Sequence, residues 1–350
     1  MNHNKISKIK SKNDFEYKTL GFSNIGNSCY MNSFLQILLH SPNFINELKK
    51  RCNYTCKNHL ANNCLIKIII NLSNSEYPYN KKYLYEIFNC MKNVSDYESF
   101  IQNDSQDFGK DLINEIIENY KKDVFLTQKI SPLLLKDKKA KFKTINNNNY
   151  KKHLIYNTFI ENYQKKDIFI EKMFTVNEIE TIYKNKANYD YIINTSFDIE
   201  LTFPNQNIKN DYNLTDLFDF KYCLNNNDLE NKKFLKIVER KICKLPDILI
   251  ITIIRKLIGI NFSSYKLFIP DKIDLDKYID KDIIKDKKTQ FDLYAINKKI
   301  GKSHLNGHYF CDIKIKEQWY EFDDEYVSEF KFNQNKPSTS VIGLFYFKIN

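Results

Sequence analysis

The chain has 350 residues, of which 42% are hydrophobic and 15% aromatic, and this composition argues against global disorder. Its formal net charge of +11 comes from lysines scattered through the chain, without a compact basic stripe, so we expect no nucleic-acid partner. No stretch approaches the roughly 18 apolar residues that span a bilayer, and the polar N-terminus shows no secretory signal. The eight cysteines are dispersed, unlike those of a small disulfide scaffold. We therefore expect an intracellular protein, cytoplasmic or nuclear, with no membrane partner.

Helical patterns occupy the first third of the chain. Residues 1–18 are predicted to be a flexible polar tail. A helix is predicted after Asn27 and Ser28, which supply N-cap side chains, and Pro42 is predicted to stop it. A second helix is predicted from Asp104, which forms a capping arrangement with Asp107.

The remainder of the chain is richer in strand patterns. Much of residues 121–190, rich in Lys and Asn, is predicted to be an insertion or a mobile surface segment. Strands are then predicted at 197–201, 248–254, 291–296, 309–315 and 341–347. A helical part followed by a strand-rich part predicts an α+β protein with a cleft between two lobes.

Cys29 is the candidate nucleophile. It lies in the first turn of the predicted helix, where backbone N–H groups and the helix dipole lower the pKa of a thiol. The preceding Gly26 and the nearby asparagines permit a tight turn that presents the thiol. Taken alone, the pattern fits a buried structural cysteine better.

A histidine and a pair of carboxylates lie near the C-terminus. His308 follows Gly307 at the start of a predicted strand, where it suits a general base. Asp323 and Asp324 follow an aromatic strand and suit the orientation of an imidazole. Each motif alone also fits a structural histidine or a solvated turn.

Together and in this order, the motifs resemble those of the ubiquitin-specific proteases, a family of deubiquitinases. The segment from Gly21 to Leu39, with Gly-Asn-Ser-Cys-Tyr-Met-Asn-Ser, resembles the family's Cys box, with Ser in place of Thr at position 28. The segment from Tyr294 to Phe322, followed by two aspartates, resembles its His box. Segments at 102–108, 245–255, 265–278 and 344–346 fit as well, so the resemblance covers about residues 20–350.

The resemblance implies a papain-like hand of thumb, palm and fingers. The catalytic domain would span 19–350, with the thumb at about 19–125, an insertion and finger region at about 126–240 and the palm at about 241–350. Cys29 would attack the carbonyl, His308 would move the proton and Asp323 would orient His308, with Asp324 supporting or partly replacing it. Asn24 matches the family residue that donates a hydrogen bond to the oxyanion.

The resemblance also implies substrate contacts. In the family, acidic residues at the positions of Asp104 and Asp107 face arginines of the ubiquitin tail; helix capping is the alternative, and both roles are compatible through different oxygens. Gln102, Gly307 and Tyr309, from the same motifs, are the other predicted contacts.

The chain departs from the family in its fingers. Many members carry a zinc ribbon of two Cys-x-x-Cys pairs, but residues 179–190 hold no cysteine and 221–240 hold one, Cys223. We therefore predict no structural metal and no cofactor. A looser cluster of Cys52, Cys56, His59 and Cys64 is the weaker alternative. Lys299 replaces a histidine that is common in the family.

The leading hypothesis is a monomeric thiol-dependent deubiquitinase that acts on ubiquitin or ubiquitinated proteins through an acyl-thioester. One alternative is a protease for another ubiquitin-like modifier. The other is a ubiquitin-binding pseudoenzyme or scaffold, against which the retention of Cys29, His308, Asp323 and Asn24 counts.

Overall fold

The structure is a computed structural model. It describes residues 19–55, 65–75, 80–92, 94, 97, 101–124, 168–185, 188–204, 210–223, 237–257, 260–261, 264–285, 288–301 and 307–349. The predicted tail at 1–18, residues 125–167 of the predicted insertion, and Cys56, His59 and Cys64 lie outside these ranges. None of the described helices is long and apolar enough to cross a membrane.

The described residues form seven helices. They are α1 (Cys29–Leu39), α2 (Pro42–Thr55), α3 (Leu65–Asn74), α4 (Asn80–Met91), α5 (Ser105–Val124), α6 (Ile168–Phe174) and α7 (Leu214–Tyr222). Pro42 does more than end α1, because it is also the first residue of α2. Proline is tolerated in a first turn, where its missing N–H would have no partner within the helix.

The strands, numbered in chain order, form two larger sheets and two short ladders. The three-stranded sheet has the order β2 (Asn188–Ser196), β1 (Val176–Asn185), β5 (Ile237–Lys244). The eight-stranded sheet has the order β14 (Tyr326–Phe330), β13 (Gln318–Asp323), β12 (His308–Ile315), β11 (Gln290–Ile300), β15 (Val341–Lys348), β6 (Ile248–Ile254), β3 (Ile199–Thr202), with β10 (Lys272–Asp274) beside β11. The short ladders pair β4 (Asp211–Asn213) with β9 (Lys266–Phe268), and β7 (Lys256–Leu257) with β8 (Ile260–Asn261).

The large sheet is covered on both faces. In β6, Ile248 and Ile250 join the core formed with α1 to α6, whereas Leu249 and Ile251 join a second core that includes residues of α7. Because both faces are buried, the strand reads as a continuous apolar run without alternation. The predicted strand at 248–254 is confirmed at both ends.

The described part of the predicted insertion is ordered. Residues 168–174 form α6, and 176–185 and 188–196 form β1 and β2. Ile170, Phe174, Val176 and Ile179 are buried. The prediction of a mobile surface segment was wrong for residues 170–182, because apolar residues recur through this stretch and are buried, although the wider 121–190 region is rich in Lys and Asn.

The segment before α1 is fastened to the turn between β13 and β14. The N–H of Phe22 donates to the carbonyl of Asp324 at 2.8 Å. A Cβ on Gly21 would come within 2.4 Å of that same carbonyl oxygen, so only glycine permits this approach. The contact brings the start of α1 and the end of β13 together, although about 300 residues separate them.

Candidate active site

A closed loop places Cys29 at the first residue of α1. Gly26 and Asn27 have φ values of 109° and 51°, in the left-handed region. The side-chain oxygen of Asn24 accepts the N–H of Gly26 at 2.9 Å and that of Ser28 at 3.3 Å. The tight turn predicted before the thiol is therefore confirmed.

Ser28 occupies the N-cap position but does not cap α1 through its side chain. Its hydroxyl accepts the N–H of Ile25 at 2.9 Å and donates to Asn24 Oδ1 at 3.4 Å. The prediction that Ser28 supplies N-cap chemistry was wrong, because the loop uses the hydroxyl. The first N–H groups of α1 are thus left available beside the thiol.

The Cys29 thiol is buried, with 4% of the residue exposed. Burial raises its pKa, and the charge of Asp324 acts in the same direction. The backbone N–H groups of Tyr309, Tyr30 and Cys29 itself lower the pKa, but they do not offset burial. The predicted lowering of the pKa by the helix start is present as a contribution, whereas the net shift of the Cys29 pKa is upward.

We expect the alkylation rate of Cys29 by iodoacetamide to keep rising with pH beyond pH 9, the ordinary thiol value. The thiolate is the reacting species, and burial moves its formation to higher pH. Mass spectrometry of the Cys29 peptide would follow the rate, with the exposed Cys223 as an internal reference. A plateau between pH 6 and 8 would contradict this, because it would indicate a thiolate already formed at neutral pH.

His308 and Asp323 form a hydrogen-bonded pair. Nε2 of His308 lies in a short hydrogen bond with Oδ1 of Asp323, and both side chains are partly exposed. This leaves Nδ1 as the ring nitrogen that can exchange a proton with substrate or thiol. Within the described residues, Cys29 and His308 share one corner of the fold, since the N–H of Tyr309 lies against the thiol, but no hydrogen bond joins them. Catalytic hydrogen bonds are often long before substrate binds.

Asp324 is held by two asparagines. Its Oδ2 accepts Nδ2 of Asn24 at 2.8 Å, and its Oδ1 accepts Nδ2 of Asn32 at 2.8 Å. Burial raises the pKa of Asp324, while these two amides and His308 act in the opposite direction. Asn32 was not singled out from the sequence, although its place three residues after Cys29 puts it on the same helix face.

The two predicted acidic contacts differ in their surroundings. Asp104 caps α5, because Oδ1 accepts the N–H of Gln106 at 2.8 Å, and its Oδ2 accepts the hydroxyl of Tyr309 at 3.3 Å. The predicted capping role is confirmed for Asp104. Asp107, with 70% of its side chain exposed, faces Nζ of Lys110 at 3.1 Å.

Gln102, which precedes α5, and Gly307, which precedes β12, bind each other through two hydrogen bonds. The N–H of Gly307 donates to Oε1 of Gln102 at 3.0 Å, and Nε2 of Gln102 donates back to the Gly307 carbonyl. Tyr309 is buried, and Nζ of Lys299 lies 4.8 Å from the centre of its ring. Burial lowers the pKa of Lys299, and Asp104 and Cys29 act in the opposite direction. The structure therefore places Lys299 beside Tyr309 and within electrostatic reach of Asp104 and Cys29.

The described residues contain one cluster with ligand atoms close enough to hold a cation. It comprises His308, Asp323 and Asp324, whose ligand atoms lie within 4.8 Å of one another. His308 and Asp323 already pair, and both oxygens of Asp324 accept amide hydrogens. These partners favour a hydrogen-bonded role over metal ligation.

Two solved structures with the same architecture are forms of one multi-subunit DUB module. The Ubp8–Sgf11–Sgf73–Sus1 SAGA DUB module matches with a TM-score of 0.66 and 20% identity, over 95% of this chain and 68% of that chain. The same module bound to ubiquitin aldehyde matches with a TM-score of 0.67 and 19% identity, over 95% of this chain and 70% of that chain. At this identity the likeness shows the fold, and the predicted α+β papain-like hand is confirmed.

Sequence comparison gives the family. Mouse ubiquitin carboxyl-terminal hydrolase 37 is 31% identical over 119 residues, which are 33% of this chain and 12% of that protein. The chain therefore matches only a small part of this relative's length. The sequence model of the ubiquitin carboxyl-terminal hydrolases matches residues 20–346, nearly the whole chain. The segments around Cys29 and His308 resemble the family's two motifs, and the fold brings them together where α1 meets β12. With this match, they show that the chain belongs to the ubiquitin carboxyl-terminal hydrolase family.

Proposed function

We propose that this chain is a thiol-dependent deubiquitinase that hydrolyses the peptide or isopeptide bond at the C-terminal glycine of ubiquitin. The observation that carries the proposal is the placement of the Cys29 thiol, at the first residue of α1, against the N–H of Tyr309, next to His308, which begins β12 and pairs with Asp323 at the end of β13. Membership of the family supports the same substrate class.

The proposed reaction has two steps. Nδ1 of His308 takes the thiol proton as the sulfur of Cys29 bonds to the carbonyl carbon, and the tetrahedral intermediate then expels the amine, which takes that proton from His308. The resulting thioester is hydrolysed when His308 draws a proton from water and returns it to the departing sulfur. Asp323 holds Nε2, so that the ring keeps its orientation throughout.

Asn24 is proposed to stabilise the oxyanion. One hydrogen of its Nδ2 goes to Asp324, which leaves the second for the developing charge. Asp324 is thus assigned a positioning role, because it fixes the plane of the Asn24 amide. The N–H groups at the start of α1, which Ser28 does not cap, are proposed as the other donors.

Asp104 and Asp107 remain the proposed contacts for the basic tail of ubiquitin. Both are exposed, and a charge-assisted bond to an arginine is available at each carboxylate. At Asp107 the arginine would have to share the carboxylate with Lys110, 3.1 Å away. The site where this tail binds is also proposed to be lined by Gln102, Gly307 and Tyr309.

Two neighbouring properties stay predictions. The expected monomer has no support from the structural neighbours, which were solved with other subunits. The expected cytoplasmic or nuclear location rests on the sequence alone.

The test uses ubiquitin that carries a thiol-reactive C-terminal warhead, beside the same warhead on other ubiquitin-like modifiers. We expect one covalent adduct, with ubiquitin, mapped to Cys29 by mass spectrometry. An adduct with another modifier alone would keep the chemistry and replace the substrate. A folded sample that binds ubiquitin but forms no adduct would favour the scaffold.

A further inference from the structure

Four side chains lie in a row across β11, β12, β13 and β14, at one end of the large sheet. Ile300 of β11 is paired in register with His308 of β12, and Asp323 of β13 with Tyr326 of β14. Directly opposed residues of antiparallel strands point to the same face. Since His308 and Asp323 also bind each other, the row runs without a break from Ile300 to Tyr326.

The two ends of this row are apolar and exposed. Ile300 is 52% exposed and Tyr326 is 78% exposed, the highest values among the exposed large hydrophobic residues of the described chain. Single exposed apolar side chains are common on protein surfaces, so exposure alone has little weight. The position carries the argument, because these two flank the acid–base pair on both sides.

The proposed reaction identifies which part of the substrate lies beside His308 and its neighbours in the row. His308 must deliver a proton to the leaving amine, which requires a separation of about 2.6–3.2 Å. The protein that carries this amine therefore lies beside His308. Ubiquitin itself is expected on the opposite face of β12, because its proposed contact Asp104 accepts the hydroxyl of Tyr309, and the side chains of Tyr309 and His308 point to opposite faces of that strand.

We propose that Ile300 and Tyr326 form an apolar contact for the protein that carries the leaving lysine. This inference rests on the proposed function and adds an acceptor-side surface to it. The partly exposed carboxylate of Glu321 forms a polar margin beside the contact; it pairs at 2.8 Å with Nζ of the largely buried Lys298, two residues before Ile300 on the same strand face. Exposed apolar residues beside a polar margin are the arrangement found in protein interfaces.

The test compares two substrates with the same ubiquitin acyl group. One is ubiquitin with a C-terminal aminocoumarin amide, which has a small leaving group. The other is lysine-linked diubiquitin of the linkage that the wild type cleaves fastest, in which a folded protein leaves. The variant is the double substitution Ile300→Thr and Tyr326→Thr, since threonine favours strands and removes most of the apolar surface.

We expect the ratio of kcat/KM for diubiquitin to kcat/KM for the coumarin substrate to fall about tenfold, the loss typical of truncating a few interface anchors. The control is Tyr85→Gln on α4, which has a similar exposed aromatic side chain (42%) and should leave the ratio at the wild-type value.

Two results would overturn the inference while leaving the proposed function intact. One is a ratio within twofold of wild type, and the other is an equal loss on both substrates with unchanged thermal unfolding. A wild type that releases coumarin but cleaves no diubiquitin would also overturn it. A folded wild type that cleaves neither substrate would remove the proposed function itself, and the inference with it.

Discussion

Replacing Cys29 with alanine is expected to lower the hydrolysis of ubiquitin aminocoumarin at least about 10⁴-fold, because acyl transfer loses its nucleophile. Burial of the residue in a tight pocket makes alanine a suitable substitution, since it removes the sulfur and adds nothing. Initial rates at saturating substrate would measure the loss, and thermal unfolding would show that the variant is folded.

The exposed Cys223 offers the matched control for this experiment. Its thiol is free and lies at the end of α7, outside the corner formed by α1 and β12. We expect Cys223→Ala to hydrolyse the substrate at the wild-type rate. A Cys29→Ala variant that kept a tenth of the wild-type rate would show that another group performs the attack.

The second large effect is expected at Asp323. Asp323→Asn preserves shape but presents an amide to Nε2 of His308, which disfavours the tautomer that has a base at Nδ1. Loss of such a carboxylate from a buried triad costs about 10⁴-fold in kcat, and the partial exposure of this pair moves our expectation to about 10²–10³-fold.

Asp324→Asn is the variant to compare with Asp323→Asn, because Asp324 accepts hydrogen bonds from Asn24 and Asn32 and does not bind Nε2 of His308. We expect it to act through the oxyanion, so that combining it with Asn24→Ala adds little further loss. If Asp323→Asn retained most of the activity while Asp324→Asn lost a hundredfold, the two carboxylates would have the opposite roles.

The sequence predicted features that depend on local patterning. The turn before Cys29 follows from Gly26 and its neighbours, and the strand at 248–254 follows from an apolar run that only Thr252 interrupts. Both are encoded by a few adjacent residues, so no knowledge of distant contacts is needed.

The sequence did not predict features that depend on contacts between distant segments. The upward pKa shift of Cys29 arises from burial between α1 and β12, and the role of Asn32 depends on Asp324, 292 residues away. Ser28 has the identity of a capping residue, but its hydroxyl serves the loop that only the folded chain assembles. The wider 121–190 region is rich in Lys and Asn, and that average concealed the apolar residues within 170–182, whose burial depends on the core they join.

The pairing of Gln102 with Gly307 has a consequence for the binding of an extended peptide beside Gly307. A carboxamide carries the same donor and acceptor as a peptide group, so the side chain satisfies the backbone of Gly307 as an adjacent strand would. An incoming extended peptide can replace these bonds one for one, and Gly307 need not lose its partners without compensation. We therefore expect an extended substrate peptide to bind beside Gly307 without a net loss of backbone hydrogen bonds there.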